Sequence, residues 1–70
     1  MKRPKGKPCA ELRDDHAKLE ILTFKTHGQF AVYWRENNTR HVDNWKAGPR
    51  HYASTIGAMR AVYVIERRQF

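Results

Sequence analysis

The chain has a single cysteine, Cys9, so no disulfide can close within its 70 residues. A core of this size supplies only about 3–5 kcal/mol without such staples. A lone thiol fits a reducing, intracellular setting. Long apolar runs are also missing. The longest is Ala61-Val62-Tyr63-Val64-Ile65, far short of the roughly 18 residues that cross a bilayer. No apolar segment follows the basic N-terminus, so it does not read as a secretory leader. The expectation is a soluble, cytoplasmic protein of one domain at most. Acidic residues are scarce as well, seven against fourteen Lys and Arg, for a net charge of +7. A magnitude of about 2–8 is ordinary for a small domain, so the sign and placement of the charge carry the information. A positive excess favours anionic partners: nucleic acid, acidic protein surfaces or anionic lipid.

The residue sets of common active sites are lacking too. There is no Gly-rich phosphate loop, Ser-His-Asp set or activated cysteine. "RDDH" (Arg13 to His16) places two carboxylates beside an imidazole, but successive residues point in different directions and do not converge on one site. Cys9, His27, His41 and His51 lack the close paired spacing of a structural zinc site. No catalytic residue, metal or cofactor is therefore assigned, and the chain is not expected to be an enzyme. A membrane-surface role is disfavoured because the basic N-terminus has no apolar anchor beside it.

What is present falls into two parts: residues 1–17, a flexible basic arm and loose polar segment, and residues 18–70, a single small α+β domain. The opening "MKRPKGKP" carries Lys2, Arg3, Lys5 and Lys7 among prolines and a glycine, with no acid and no periodicity. It reads as a mobile arm or, more plainly, as a solubilising tail. Ala10 to His16 forms one or two helical turns at most. "KLEILTFKT" reads as a strand that ends at a His27-Gly28 turn. "QFAVYWRE" alternates with the two-residue period of a second strand. "NNT" is a turn, and "RHVDNW" a third, shorter strand closed by Gly48-Pro49.

The last segment, "RHYASTIGAMRAVYVIERRQF", spaces Tyr52, Ile56, Met59 and Tyr63 along one side of a helix. Ala53, Ala58, Ala61, Val62 and Ile65 broaden that stripe, as expected for a helix covering a sheet. The fold class is therefore α+β, a three-stranded antiparallel sheet packed on one C-terminal helix. The alternative is ββαβ, with a fourth strand at about 61–67, because "AVYVI" is locally a good strand sequence. Three-residue turns would put Leu22, Phe24, Phe30, Val32, Trp34 and Val42 on the helix side of the sheet. The opposite face would then carry Lys25, Tyr33, Arg35, His41 and Trp45. Two-residue turns would set Asp43 opposite Val32 and mix charge into the core.

That second face combines flat rings with donors. Rings stack on bases at about 1–3 kcal/mol each, and arginine can pair with guanine or phosphate. Arg40, Lys46 and Arg50, in the flanking turns, would meet phosphates. Read without a ligand, Trp45 or Tyr33 would instead wrap the sheet edge and complete a small core. The span "GQFAVYWRE…TRHVDNW…HYASTIGAMRAV", within about residues 19 to 68, resembles in layout the arm-binding N-terminal domains of tyrosine recombinases and related plant DNA-binding domains. The resemblance implies a sheet lying in the major groove with the helix behind it, and Tyr33, Arg35, His41 and Trp45 reading the groove. Asp43 and Glu36 near that surface depart from the pattern, and no catalytic recombinase domain follows. On this reading the chain is a small DNA- or RNA-binding accessory or regulator of a phage or mobile element. The alternative is a phage-type effector that inhibits a larger host protein with an acidic surface, such as a polymerase or defence nuclease. Trp, Tyr and Arg are the residues enriched at interface hot spots.

Overall fold

A computed structural model describes residues 1–36 and 44–68. Four strands, β1 (Ala10–Asp14), β2 (Leu19–Thr26), β3 (Gln29–Glu36) and β4 (Lys46–Ala47), are followed by one helix, α1 (Thr55–Glu66). The strands form an antiparallel sheet in the order β1-β2-β3-β4. The fold is α+β, as expected. The strand count is four, but the added strand is Ala10–Asp14 at the edge of the sheet, where the sequence suggested a helical turn or loose chain. Residues 61–66 stay helical. Of the expected strand "RHVDNW", residues 40–43, Val42 and Asp43 included, lie outside the described residues, as does the "NNT" turn.

Local chemistry explains each junction. Between β1 and β2, Asp14 Oδ1 accepts from the backbone N–H groups of His16 and Ala17, both at 3.0 Å. This side-chain cap stands in for a backbone turn, and Lys18 closes it in the left-handed region at φ 61°. Between β2 and β3 only His27 and Gly28 intervene, with φ of 50° and 79°. Positive φ at both central residues is the type I′ pattern, whose twist matches that of the flanking strands. After β4 the chain meets β3 twice more: Gly48 N–H donates to Val32 O (2.9 Å), and Tyr52 and Phe30 exchange two bonds of 2.8 Å. A Cβ at Gly48 would lie 2.6 Å from Val32 Cγ1, so only glycine permits this approach. Ser54 caps α1 by accepting from Gly57 N–H at 3.0 Å. Arg67, left-handed at φ 55°, ends it.

The two-residue hairpin corrects the expected faces. Ile21 pairs with Trp34, Leu22 with Tyr33, Thr23 with Val32 and Phe24 with Ala31. The helix side of the sheet therefore holds Leu19, Ile21, Val32 and Trp34, which pack with Tyr52, Ala58, Val62 and Tyr63. Leu22 and Phe24 fall on the opposite face, with Trp45 and the partly buried Tyr33. Lys25, paired with Phe30, starts from the helix-side row and not from the row of Tyr33, and it reaches the cleft described below only at the end of the hairpin. The helix stripe is also rotated from expectation: Ile56 is 62% exposed and Ile65 44%. Its rotation is held by Glu66, which accepts from the Trp34 indole N–H at 2.6 Å. That bond turns Glu66, and with it the row through Ala58 and Val62, toward the sheet.

Candidate anion-binding cleft

The charges separate along the sheet. At the end where β1 turns into β2 and α1 finishes, three cations are matched by carboxylates that lie far away in the chain. Arg35 pairs with Glu20 (3.0 Å), Lys46 with Glu66 (3.2 Å), and Arg68 with Glu36. Arg68 also donates to Ala17 O. Asp14 Oδ2 accepts from the Tyr63 hydroxyl at 2.7 Å. The Ala17 amide bond, followed by the Tyr63 bond, holds the Asp14 carboxyl below the usual carboxylate range. Tyr63 is pushed up to about 12, mainly by burial and then by Asp14. The Trp34 bond, aided by Lys46, lowers Glu66. Asp14 of "RDDH" is thus committed to a turn and to the helix. Among the described residues no three His, Cys, Asp or Glu side chains gather as metal ligands.

The hairpin end is different. Lys2, Lys5, Lys7 and Lys25 are exposed, and none pairs with a carboxylate among the described residues. The N-terminal segment lies across the face opposite the helix and meets the sheet at three points. Met1 and Trp45 exchange two backbone bonds, 3.1 and 3.2 Å. The Arg3 guanidinium sits 5.7 Å from the centre of the Phe24 ring, and Cys9 N–H donates to Thr23 O at 2.8 Å. Between this segment and the hairpin opens a cleft of about 500 Å³, lined by Pro4, Lys5, Lys7, Cys9, Phe24, Lys25, Thr26, Ala31, Tyr33 and His51. None of these lining residues is acidic. Tyr33 meets Phe24 edge to face, 5.7 Å between centroids and 81° between planes.

The residues singled out from sequence therefore divide. Lys5, Lys7, Lys25 and Tyr33 meet in the cleft, and Lys2 is exposed on the same segment. Arg3 covers Phe24 and donates to Gly6 O. Arg50 lies over the Tyr52 ring at 5.2 Å, away from the cleft lining. Arg35 and Trp45 are engaged with each other: the guanidinium stands 4.3 Å from the centre of the indole, and Trp45 is only 4% exposed. Lys46 is tied to Glu66. Arg40 and His41 lie outside the described residues. Phe24 and His51 were missed. A three-residue turn would put Phe24 on the helix side, and the two-residue turn puts it beside Tyr33. His51 enters because the chain bends away from β3 after Gly48 and returns at Tyr52, which no local pattern signals.

No family model, curated protein or solved structure matches the chain. Among the described residues no helix is long and apolar enough to cross a membrane. The functional reading therefore rests on the cleft.

Proposed function

We propose that this chain is a small, non-catalytic nucleic-acid-binding protein that holds phosphates with Lys5, Lys7 and Lys25, supported by Lys2. The observation that carries the proposal is the hairpin-end cleft, where three lysines and His51 converge beside two rings without an acidic lining residue. Like charges gathered without counter-charge repel one another, and an anion relieves that repulsion. A polyanion does so at several positions at once and releases its condensed counterions, so its affinity falls with salt. The test is oligonucleotide binding by fluorescence anisotropy across 50–200 mM salt. Affinity should fall linearly on a log–log plot. A flat response would reject the proposal.

One observation favours a protein partner instead. Ile56 and Val64 are 62% and 74% exposed on the outer side of α1, beside Arg60 and Arg67. An acidic, partly apolar protein surface would match that side. Under this reading Ile56→Glu together with Val64→Glu abolishes capture of a purified partner and leaves oligonucleotide binding intact.

A further inference from the structure

We infer that the nucleic acid this cleft takes is single-stranded, with one unpaired base entering beside Tyr33 and its flanking phosphates on Lys5, Lys7 and Lys25. The inference rests on the nucleic-acid reading above and narrows it. Three observations carry it. First, neither face of the sheet is open as a flat surface. The helix packs on one through Val62 and Tyr63. On the other, the N-terminal segment leaves the β1 edge, where Cys9 N–H extends the ladder to Thr23 O, and runs to Trp45 with Arg3 over Phe24. A sheet covered on both sides cannot enter a major groove, which requires a bare strand pair to reach base edges. Second, the cationic site is a concavity and not a ridge. Its volume of about 500 Å³ falls within the roughly 300–1,000 Å³ of pockets that enclose small ligands. Duplex phosphates lie on a convex rod with the bases stacked inside, so a duplex offers this cleft only its backbone. An unpaired nucleotide offers both base and phosphate and avoids the cost of extrusion from a stack. Third, the cleft mixes the two groups that such a nucleotide needs. The half-buried Tyr33 ring, braced edge-on by Phe24, lies with lysines on the segment side (Lys5, Lys7) and on the hairpin side (Lys25). Rings beside a cationic track are the usual means of holding single strands without sequence preference.

The experiment uses the full chain at 100 mM salt with four fluorescent probes: dT12, rU12, a dT12·dA12 duplex, and an abasic 12-mer with the same number of phosphates as dT12. The expected result is that dT12 or rU12 binds at least about tenfold tighter than both the duplex and the abasic strand, a difference of about 1.4 kcal/mol. The tighter of the two identifies the preferred sugar. Tyr33→Leu should bring the base-bearing strand down to the abasic value, while Lys5→Gln with Lys7→Gln weakens all probes together. A duplex bound as tightly as the single strands, or an abasic strand equal to dT12 and rU12, overturns the inference and leaves nucleic-acid binding standing. Absence of binding to all four probes overturns the nucleic-acid reading itself. The wild-type comparisons decide these points even if Tyr33→Leu fails to fold.

Discussion

The two ends of this sheet carry the same kinds of residue put to different uses. At the end where α1 finishes, Arg35, Lys46 and Arg68 face Glu20, Glu66 and Glu36, and Tyr63 and Trp34 donate to Asp14 and Glu66. At the hairpin end, Lys5, Lys7 and Lys25 share a cleft with Tyr33 and His51 and line it without an acid. The first end uses its charges to join strand to strand, through Glu20 and Arg35, and helix to sheet, through the other two pairs. The second leaves like charges together, which lowers stability and raises attraction for an anion. Net charge alone does not separate these roles; the positions of the carboxylates do.

The comparison breaks most visibly at Trp34. Trp34→Ala removes a buried ring and the donor to Glu66, and should cost about 3–5 kcal/mol. For a domain this small, that is enough to abolish the unfolding transition seen by circular dichroism. The hairpin end should respond in the opposite way. Replacing Lys5, Lys7 and Lys25 by glutamine should leave stability within about 0.5 kcal/mol, as for exposed positions. It should also flatten the log–log salt slope for a single strand by about 2, at roughly 0.7 per phosphate contact. A salt slope left unchanged would mean that the phosphates are held elsewhere.

Acid sharpens the contrast further. The folded state depresses the pKa of Glu66 and Asp14 from ordinary values of 4.5 and 3.8. Their contribution is therefore complete above those values and is lost as pH falls below them, through the lower folded-state pKa. Tyr63 works at the other limit. With its pKa raised from 10.0 to about 12, its contribution holds below pH 10 and fades as pH climbs toward 12. Denaturant unfolding across pH should show both losses, and Glu66→Gln should shrink the acid loss. The smallest effect belongs to Lys46→Gln. Its partner bond to Glu66 is 3.2 Å long, but the lysine side chain is largely exposed, so stability should drop by at most about 0.5 kcal/mol. Oligonucleotide affinity should change little, because Lys46 is outside the cleft lining. A loss as large as that from a cleft lysine would return Lys46 to the binding surface.

Much of this was legible along the chain. The alternation in "QFAVYWRE" identifies β3, and His27-Gly28 marks the turn before it. The spacing of Ala58, Val62 and Tyr63 falls within a helical stripe, and the composition sets the excess of cations. These are local properties, since propensity, periodicity and turn chemistry act over a few residues. The faces of β2 were decided by one residue of turn length, because a strand reverses every side chain on a single-residue slip. Counting the turn as three residues sent Leu22 and Phe24 to the helix side and hid the ring beside Tyr33. "AELRD" does alternate as a strand does, but it is five residues long and rich in helix formers, so its strand state appears only in its pairing with β2.

The sequence by itself determined the α+β class, the hairpin, the helix and the sign of the charge, since each follows from neighbours along the chain. Only the tertiary structure decided which cations are answered. Glu20 and Arg35 are 15 residues apart, Lys46 and Glu66 are 20, and Glu36 and Arg68 are 32. The segment that covers the second face ties Met1 to Trp45, 44 positions away. Ion pairs and clefts depend on distance through space, and that distance appears only when the sheet has brought remote residues together.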